Sequence, residues 1–198
     1  MEQNLKKVEV KSLKELRNWL KKNHSQKESI WLITYKKSVP EYYIDYTYIV
    51  DELLCFGWID SLPRTFDKDR KMLRLSPRKK GSAWSKINRD KVKRLKAEGR
   101  ITQSGLNVIK RSQEDGSWDI LKHTDGNKIP SDLMKEFRRY KQALKNYKLF
   151  PPSSQRSILE WIALAKTQKT RIKRIQETAK LAEENVRANH YRQPILKK

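Results

Sequence analysis

Two stretches between Trp58 and Asn88 carry residues whose types and spacing can do chemistry together. Trp58, Asp60 and Arg64 stand on a segment with strand character, and Arg78, Lys79, Lys80, Trp84, Ser85 and Asn88 stand in a loop that runs into a helix. A loop entering a helix presents backbone N–H groups without intrahelical partners and the positive end of the helix dipole. Arg78 and Lys79 add charge there, Trp84 adds a flat face for a base or another ring, and Asp60 can orient an arginine or accept from a ligand. The chemistry this pattern suits is anion binding. A structural account of the same residues is cheaper: Ser85 as a helix N-cap, Trp58 and Trp84 as core, and Asp60 paired with Arg64 or Arg78 to fix a hairpin. A reaction run by Asp60 or Ser85 beside the arginines is the weakest of the three readings.

Charge supplies a second functional class. The 198 residues carry a net charge of +23, and it is uneven: residues 1–60 hold ten Lys/Arg against nine Asp/Glu, 61–120 seventeen against seven, and 121–198 nineteen against seven. Such a field attracts polyanions without specifying one. Nucleic acid is therefore the alternative partner, met by Lys86, Arg89, Lys93 and Arg94 on a basic helix from Ser85 to Arg100. A solvated basic surface explains the same lysines and arginines equally well.

Other chemistries are poorly supplied. No Gly-rich phosphate loop, HExxH, paired cysteines or Gly-x-Ser-x-Gly elbow occurs, and the six glycines are spread singly. The lone Cys55, between Leu54 and Phe56, reads as a small buried hydrophobe and suits a reducing compartment. His24, His123 and His190 are scattered. The expectations are no cofactor, no metal, no catalytic residue, no membrane span, a cytoplasmic location, and an anionic ligand or a protein as partner; the ligand and the oligomeric state stay open.

The elements that must position these residues follow from period and punctuation. Ser12-Leu-Lys-Glu15 is a capping-box pattern opening a helix with Leu13, Leu16, Trp19 and Leu20 on one side. Ile30 to Tyr35 is apolar on both alternating faces, as in a strand covered on two sides. A second helix runs from about Asp45 to Phe56 and is stopped by Gly57. A hairpin follows, Ile59 to Phe66 and Lys71 to Ser76, turned at Asp67–Arg70; Pro63 requires an edge or a bulge. Beyond the loop Arg78–Ser82 the pattern is helical, with starts at Ser85, Thr102, Ser131 and Ser153. The last helix carries Ile172, Ile175, Ala179, Ala182 and Val186 on a narrow seam suited to docking on its own domain. The expected fold is α+β: a small, mostly antiparallel sheet with N-terminal helices and a C-terminal helical bundle. The expected organisation is one domain over 1–190, α/β up to about 80 and helical from about 85, with a frayed tail at 191–198.

Several segments in order resemble the YdeI/OmpD-associated, or bacteriocin-protection, family. They are Ile30-Trp-Leu-Ile-Thr-Tyr-Lys-Lys37, Glu52-Leu-Leu-Cys-Phe-Gly-Trp-Ile-Asp-Ser61, the run from Leu73 to Asn88, Ile158 to Lys166, and Thr170 to Thr178. Gln168-Lys169 and Leu75 depart from the family's usual residues, and Lys169 places a cation in a helix's first turn, where the dipole favours an anion. The resemblance implies a role in protection against bacteriocins or envelope stress. It transfers no catalytic residue, so the expected function is a non-enzymatic protection protein with an anion-accepting pocket.

Overall fold

A computed structural model describes residues 5–190; the expected frayed tail lies outside the described residues. The chain divides into two compact units at Trp118/Asp119.

The first unit is built on a four-stranded sheet of order β1-β2-β4-β3, from β1 (Lys7–Glu9), β2 (Ile30–Tyr35), β3 (Trp58–Thr65) and β4 (Arg70–Pro77). The sheet is mixed, with the α+β character the sequence suggests. Its two antiparallel pairings, β2 with β4 and β4 with β3, join the three expected strands. β1 was not expected. It pairs parallel to β2 with Val8 opposite Leu32, and three residues are too few for a period-2 pattern to register.

β2 is buried through Thr34. Ile30 and Leu32 enter the main core, while Trp31 on the other face lies under the Arg64 guanidinium, 5.4 Å from its ring centre. The edge position and the bulge both accommodate Pro63: β3 ends the sheet, and one extra residue enters it between Asp60 and Pro63. At the hairpin tip the Asp67 carboxylate accepts from the N–H groups of Asp69 and Arg70 and from Arg70 Nε.

Four helices complete this unit: α1 (Leu13–Asn23), α2 (Tyr46–Cys55), α3 (Lys86–Ala97) and α4 (Gln103–Glu114). Each has the oxygen-bearing N-cap its sequence offers, Ser12, Asp45, Ser85 and Thr102. α3 and α4 bury Val92, Leu95 and Ile109 in the same core as Leu16, Leu53 and Leu75. The chain is helical from α3 onward, and the basic helix α3 packs in the core of the sheet.

Two adjacent acids on α2 tie these helices together. Asp51, 1% exposed, accepts from Lys91 Nζ at 2.6 Å and Arg94 Nη2 at 2.5 Å. Glu52, 4% exposed, accepts from Arg17 Nη1 at 2.7 Å and Arg100 Nη2 at 2.8 Å. Burial alone would raise the Asp51 pKa, but the hydrogen bonds from Lys91 and Arg94 outweigh it and hold the carboxyl below its ordinary value.

The second unit holds α5 (Ser131–Phe137), α6 (Ala143–Leu149), α7 (Pro152–Ala163) and α8 (Gln168–Glu183) around Leu133, Phe137, Tyr147, Ile158 and Ile162. Ser131 and Ser153 fall inside their helices, not at the caps, which are Pro130 and Pro151. α8 docks inward through Ile175, Thr178, Ala179 and Ala182, leaving Ile172 46% exposed. The seam stops short of Val186 because Asn185 turns left-handed at φ 56° and ends the helix.

Because the buried carboxylates of Asp51 and Glu52 each hold two partly exposed cations, Asp51→Asn or Glu52→Gln should lower the unfolding free energy by about 1–3 kcal/mol in urea titrations. The contribution of Asp51 should be fully present above its unfolded pKa of about 3.9 and be lost as pH falls through the depressed folded value. An Asp51→Asn variant should therefore show a shallower loss of stability in acid than the wild type.

Candidate anion-binding site

Four segments of the first unit close around one cleft. α1 ends at Asn23, and the turn His24–Ser29 leads into β2. α2 ends at Cys55, and Gly57 turns the chain into β3 with φ +76°, a conformation few L side chains adopt. β4 ends at Pro77. α4 lies close by, its Thr102 Oγ1 donating to the Cys55 carbonyl at 2.7 Å. Glycine sets how near α4 comes: a Cβ on Gly105 would lie 2.4 Å from the Cys55 oxygen, and one on Gly57 would lie 2.6 Å from Val108.

The cleft measures about 500 Å³. Phe56, Gly57, Pro77 and Val108 give it apolar surface. Ser25, Gln26, Ser29, Ser76, Ser104 and Asn107 give it hydroxyls and amides, and His24, Lys27, Arg78, Lys79 and Arg111 complete the lining. No carboxylate is among these residues.

Its inner wall has more donors than acceptors. Arg78 is 3% exposed. Its Nη1 donates to the Ala83 carbonyl at 2.9 Å and to Ser82, and its guanidinium carbon sits 3.7 Å from the Trp84 ring centre. Its Nε and Nη2 have no hydrogen-bond partner, and neither do Trp84 Nε1 and Arg111 Nε. Arg111 Nη2 donates to the Arg78 carbonyl at 2.7 Å, which joins the two arginines. Among the described residues of this unit, every buried side-chain polar atom without a partner is thus a donor. Each such group costs about 1–3 kcal/mol, more when charged. Burial pulls the Arg78 pKa down to about 10, with Asp60 acting against it, so the guanidinium remains charged at neutral pH.

The sequence-derived constellation separates into distinct places. Arg78 and Lys79 line the cleft. Trp58 is fully buried, its Nε1 donating to the His24 carbonyl at 3.1 Å, so it holds the cleft's turn from behind. Trp84 is also fully buried; the Arg78 guanidinium and the Trp118 ring, 4.8 Å away, pack on it, and it offers no open platform. Arg64 is spent on Trp31. Asp60, Ser85 and Asn88 border a separate hollow of about 340 Å³ with Tyr46 and Lys91. There Ser85 Oγ caps α3 by accepting from the Asn88 N–H, and Asp60 accepts from the Tyr46 hydroxyl at 2.6 Å. Partial burial and that carboxylate push the Tyr46 pKa up.

Of the four cations proposed for nucleic acid, Lys86, Lys93 and Arg94 are exposed and Arg89 is buried. Lys86 pairs with Asp90, Arg94 bridges Asp51 and Glu98, and Arg89 is 5% exposed with Nη1 on the Trp84 carbonyl. Sequence reasoning missed Lys27, Ser104, Asn107 and Arg111. One signal was present: Gly105, isolated within a helical pattern, marks a close backbone approach.

Residues 8–108, half of the chain, match the family described as a domain of unknown function (DUF8412). The chain belongs to that family. Residues 128–185 match the family described as bacteriocin-protection, YdeI or OmpD-associated, which supports the resemblance drawn from Ile158–Lys166 and Thr170–Thr178. The segments Glu52–Ser61 and Leu73–Asn88 lie outside that match and inside the DUF8412 one. The cleft is therefore framed almost wholly by the DUF8412 region, with Arg111 just beyond its matched end. No curated protein and no solved structure matches the chain significantly. Among the described residues no helix is long and apolar enough to cross a membrane.

Substitution separates the inner wall from the rim. Arg78→Ala should cost about 2–4 kcal/mol of stability by removing a packed, hydrogen-bonded guanidinium, whereas Lys79→Ala, on an exposed residue, should change it by less than about 0.5 kcal/mol. Thermal and urea denaturation of the two variants checks the contrast.

Proposed function

We propose that the first unit of this DUF8412 protein is a receptor for a small anionic ligand, and that it serves the chain's bacteriocin-protection or stress-related family role by binding, not catalysis. The observation that carries this is the cleft's donor surplus: cations from three segments, no carboxylate in the lining, and buried donors on the lining residues Arg78 and Arg111 that an acceptor-rich guest would relieve. A preformed concave site that mixes apolar surface with a few convergent polar groups is the usual form of a small-ligand pocket. Binding in place of reaction is supported by Ser104, whose hydroxyl is engaged with the Phe56 carbonyl and Thr102 and not held ready as a nucleophile. A cytoplasmic location is part of the same proposal; the buried thiol of Cys55 is at home in a reducing compartment.

Nucleic-acid binding through α3 has less to stand on, since Arg89 is buried and the exposed Lys86 and Arg94 are paired with Asp90 and with Asp51 and Glu98. The experiment is thermal denaturation in sodium sulfate or phosphate against sodium chloride at matched ionic strength. The expected result is stabilisation by the oxyanions that is lost in Lys27→Glu/Lys79→Glu, a double variant on exposed residues. Anisotropy with labelled DNA and RNA in the same salts provides the contrasting arm. Tight binding that falls steeply with salt and is abolished by Lys93→Glu, with no oxyanion effect, would favour the nucleic-acid reading.

A further inference from the structure

We propose that the cleft takes a dianionic phosphomonoester carried on a hydroxylated ring, as in a sugar phosphate or a nucleoside monophosphate; this rests on the anion-receptor reading above. The cleft is too large and too varied for an inorganic oxyanion alone. At about 500 Å³ it falls within the roughly 300–1,000 Å³ range of organic-ligand pockets, and a lone phosphate would leave much of it to water.

The charged groups approach from separate sides: Lys27 from the turn before β2, Arg78 and Lys79 from the end of β4, and Arg111 from α4. Several cations with no opposing carboxylate favour a doubly charged head over a single carboxylate, because each cation adds to the attraction and nothing in the lining offsets it. The remaining surface is of a different kind. Serine hydroxyls and the amides of Gln26 and Asn107 can donate and accept, which suits the hydroxyls of a ring. Gly57, Pro77 and Val108 supply apolar area for the ring's C–H faces. His24, partly exposed and stacked on the buried Phe56 ring at 6.1 Å with the planes 28° apart, puts an imidazole in the same wall. A phosphate head on the cations and a hydroxylated ring on the remaining wall use both halves of the lining, which neither a bare anion nor a neutral sugar does.

The test is isothermal titration calorimetry of the full chain with four probes: inorganic phosphate, a hexose monophosphate, adenosine monophosphate and the unphosphorylated hexose. The expected result is that at least one monoester binds tenfold or more tightly than inorganic phosphate while the free hexose shows no binding. Asn107→Ala should weaken the monoester several-fold and leave inorganic phosphate unchanged; Lys27→Glu should weaken both. The two monoesters decide the source, since a preference for adenosine monophosphate places a base beside His24 and a preference for the hexose phosphate places a sugar there. If inorganic phosphate binds as well as both esters, the ring specificity is overturned and the anion receptor stands. If no phosphorylated probe binds to a chain whose circular dichroism is native, both fall.

Discussion

The first unit depends on two carboxylates that sit side by side in the interior. Asp51 and Glu52 are consecutive on α2, so their side chains leave the helix about 100° apart and serve different neighbours. Asp51 fastens α3 through Lys91 and Arg94; Glu52 fastens α1 through Arg17 and the start of the α4 segment through Arg100. An isolated buried carboxylate is strongly disfavoured, whereas one held by two hydrogen-bonded cations is tolerated and admits few alternative arrangements. Four cations of a very basic chain are consumed in this way. The net charge consequently overstates how much positive surface is free to meet a partner.

The cleft inherits its geometry from this arrangement. With α4 drawn against the end of α2, Gly57 and Gly105 allow contact that any side chain would block, and Arg111 is carried to the carbonyl of Arg78. Trp58 reaches from the opposite side to hold the turn at His24. The site is thus made of loop ends pinned by buried groups. Its walls are fixed before any ligand arrives, which lowers the ordering cost of binding.

The two family matches divide the chain close to where the packing does. DUF8412 covers the sheet and most of its helices, and the bacteriocin-protection, YdeI or OmpD-associated match lies within the second unit. The second unit has its own core, centred on Leu133, Phe137, Tyr147 and the alanines of α8. The cleft and the bacteriocin-protection, YdeI or OmpD-associated match therefore belong to different compact units of one chain.

The sequence by itself determined the local elements. Ser12, Asp45, Ser85 and Thr102 cap the helices they were expected to open, Gly57 ends α2, and Pro63 sits on an edge strand beside a bulge. These are interactions between residues a few positions apart, and their chemistry is written in order along the chain. It also singled out Arg78 and Lys79 as candidate residues, and both line the cleft. Only the tertiary structure decided what those residues meet. It buried Trp84 beneath Arg78, turned Arg64 onto Trp31, left Asp60 with Tyr46, and brought Lys27, Ser104 and Arg111 to Arg78 from positions 26 to 51 residues away. β1 escaped notice for the same reason, since three residues acquire a strand's identity only from the partner beside them. Burial and proximity depend on long-range packing, and no periodicity along the chain records which donors it leaves without acceptors.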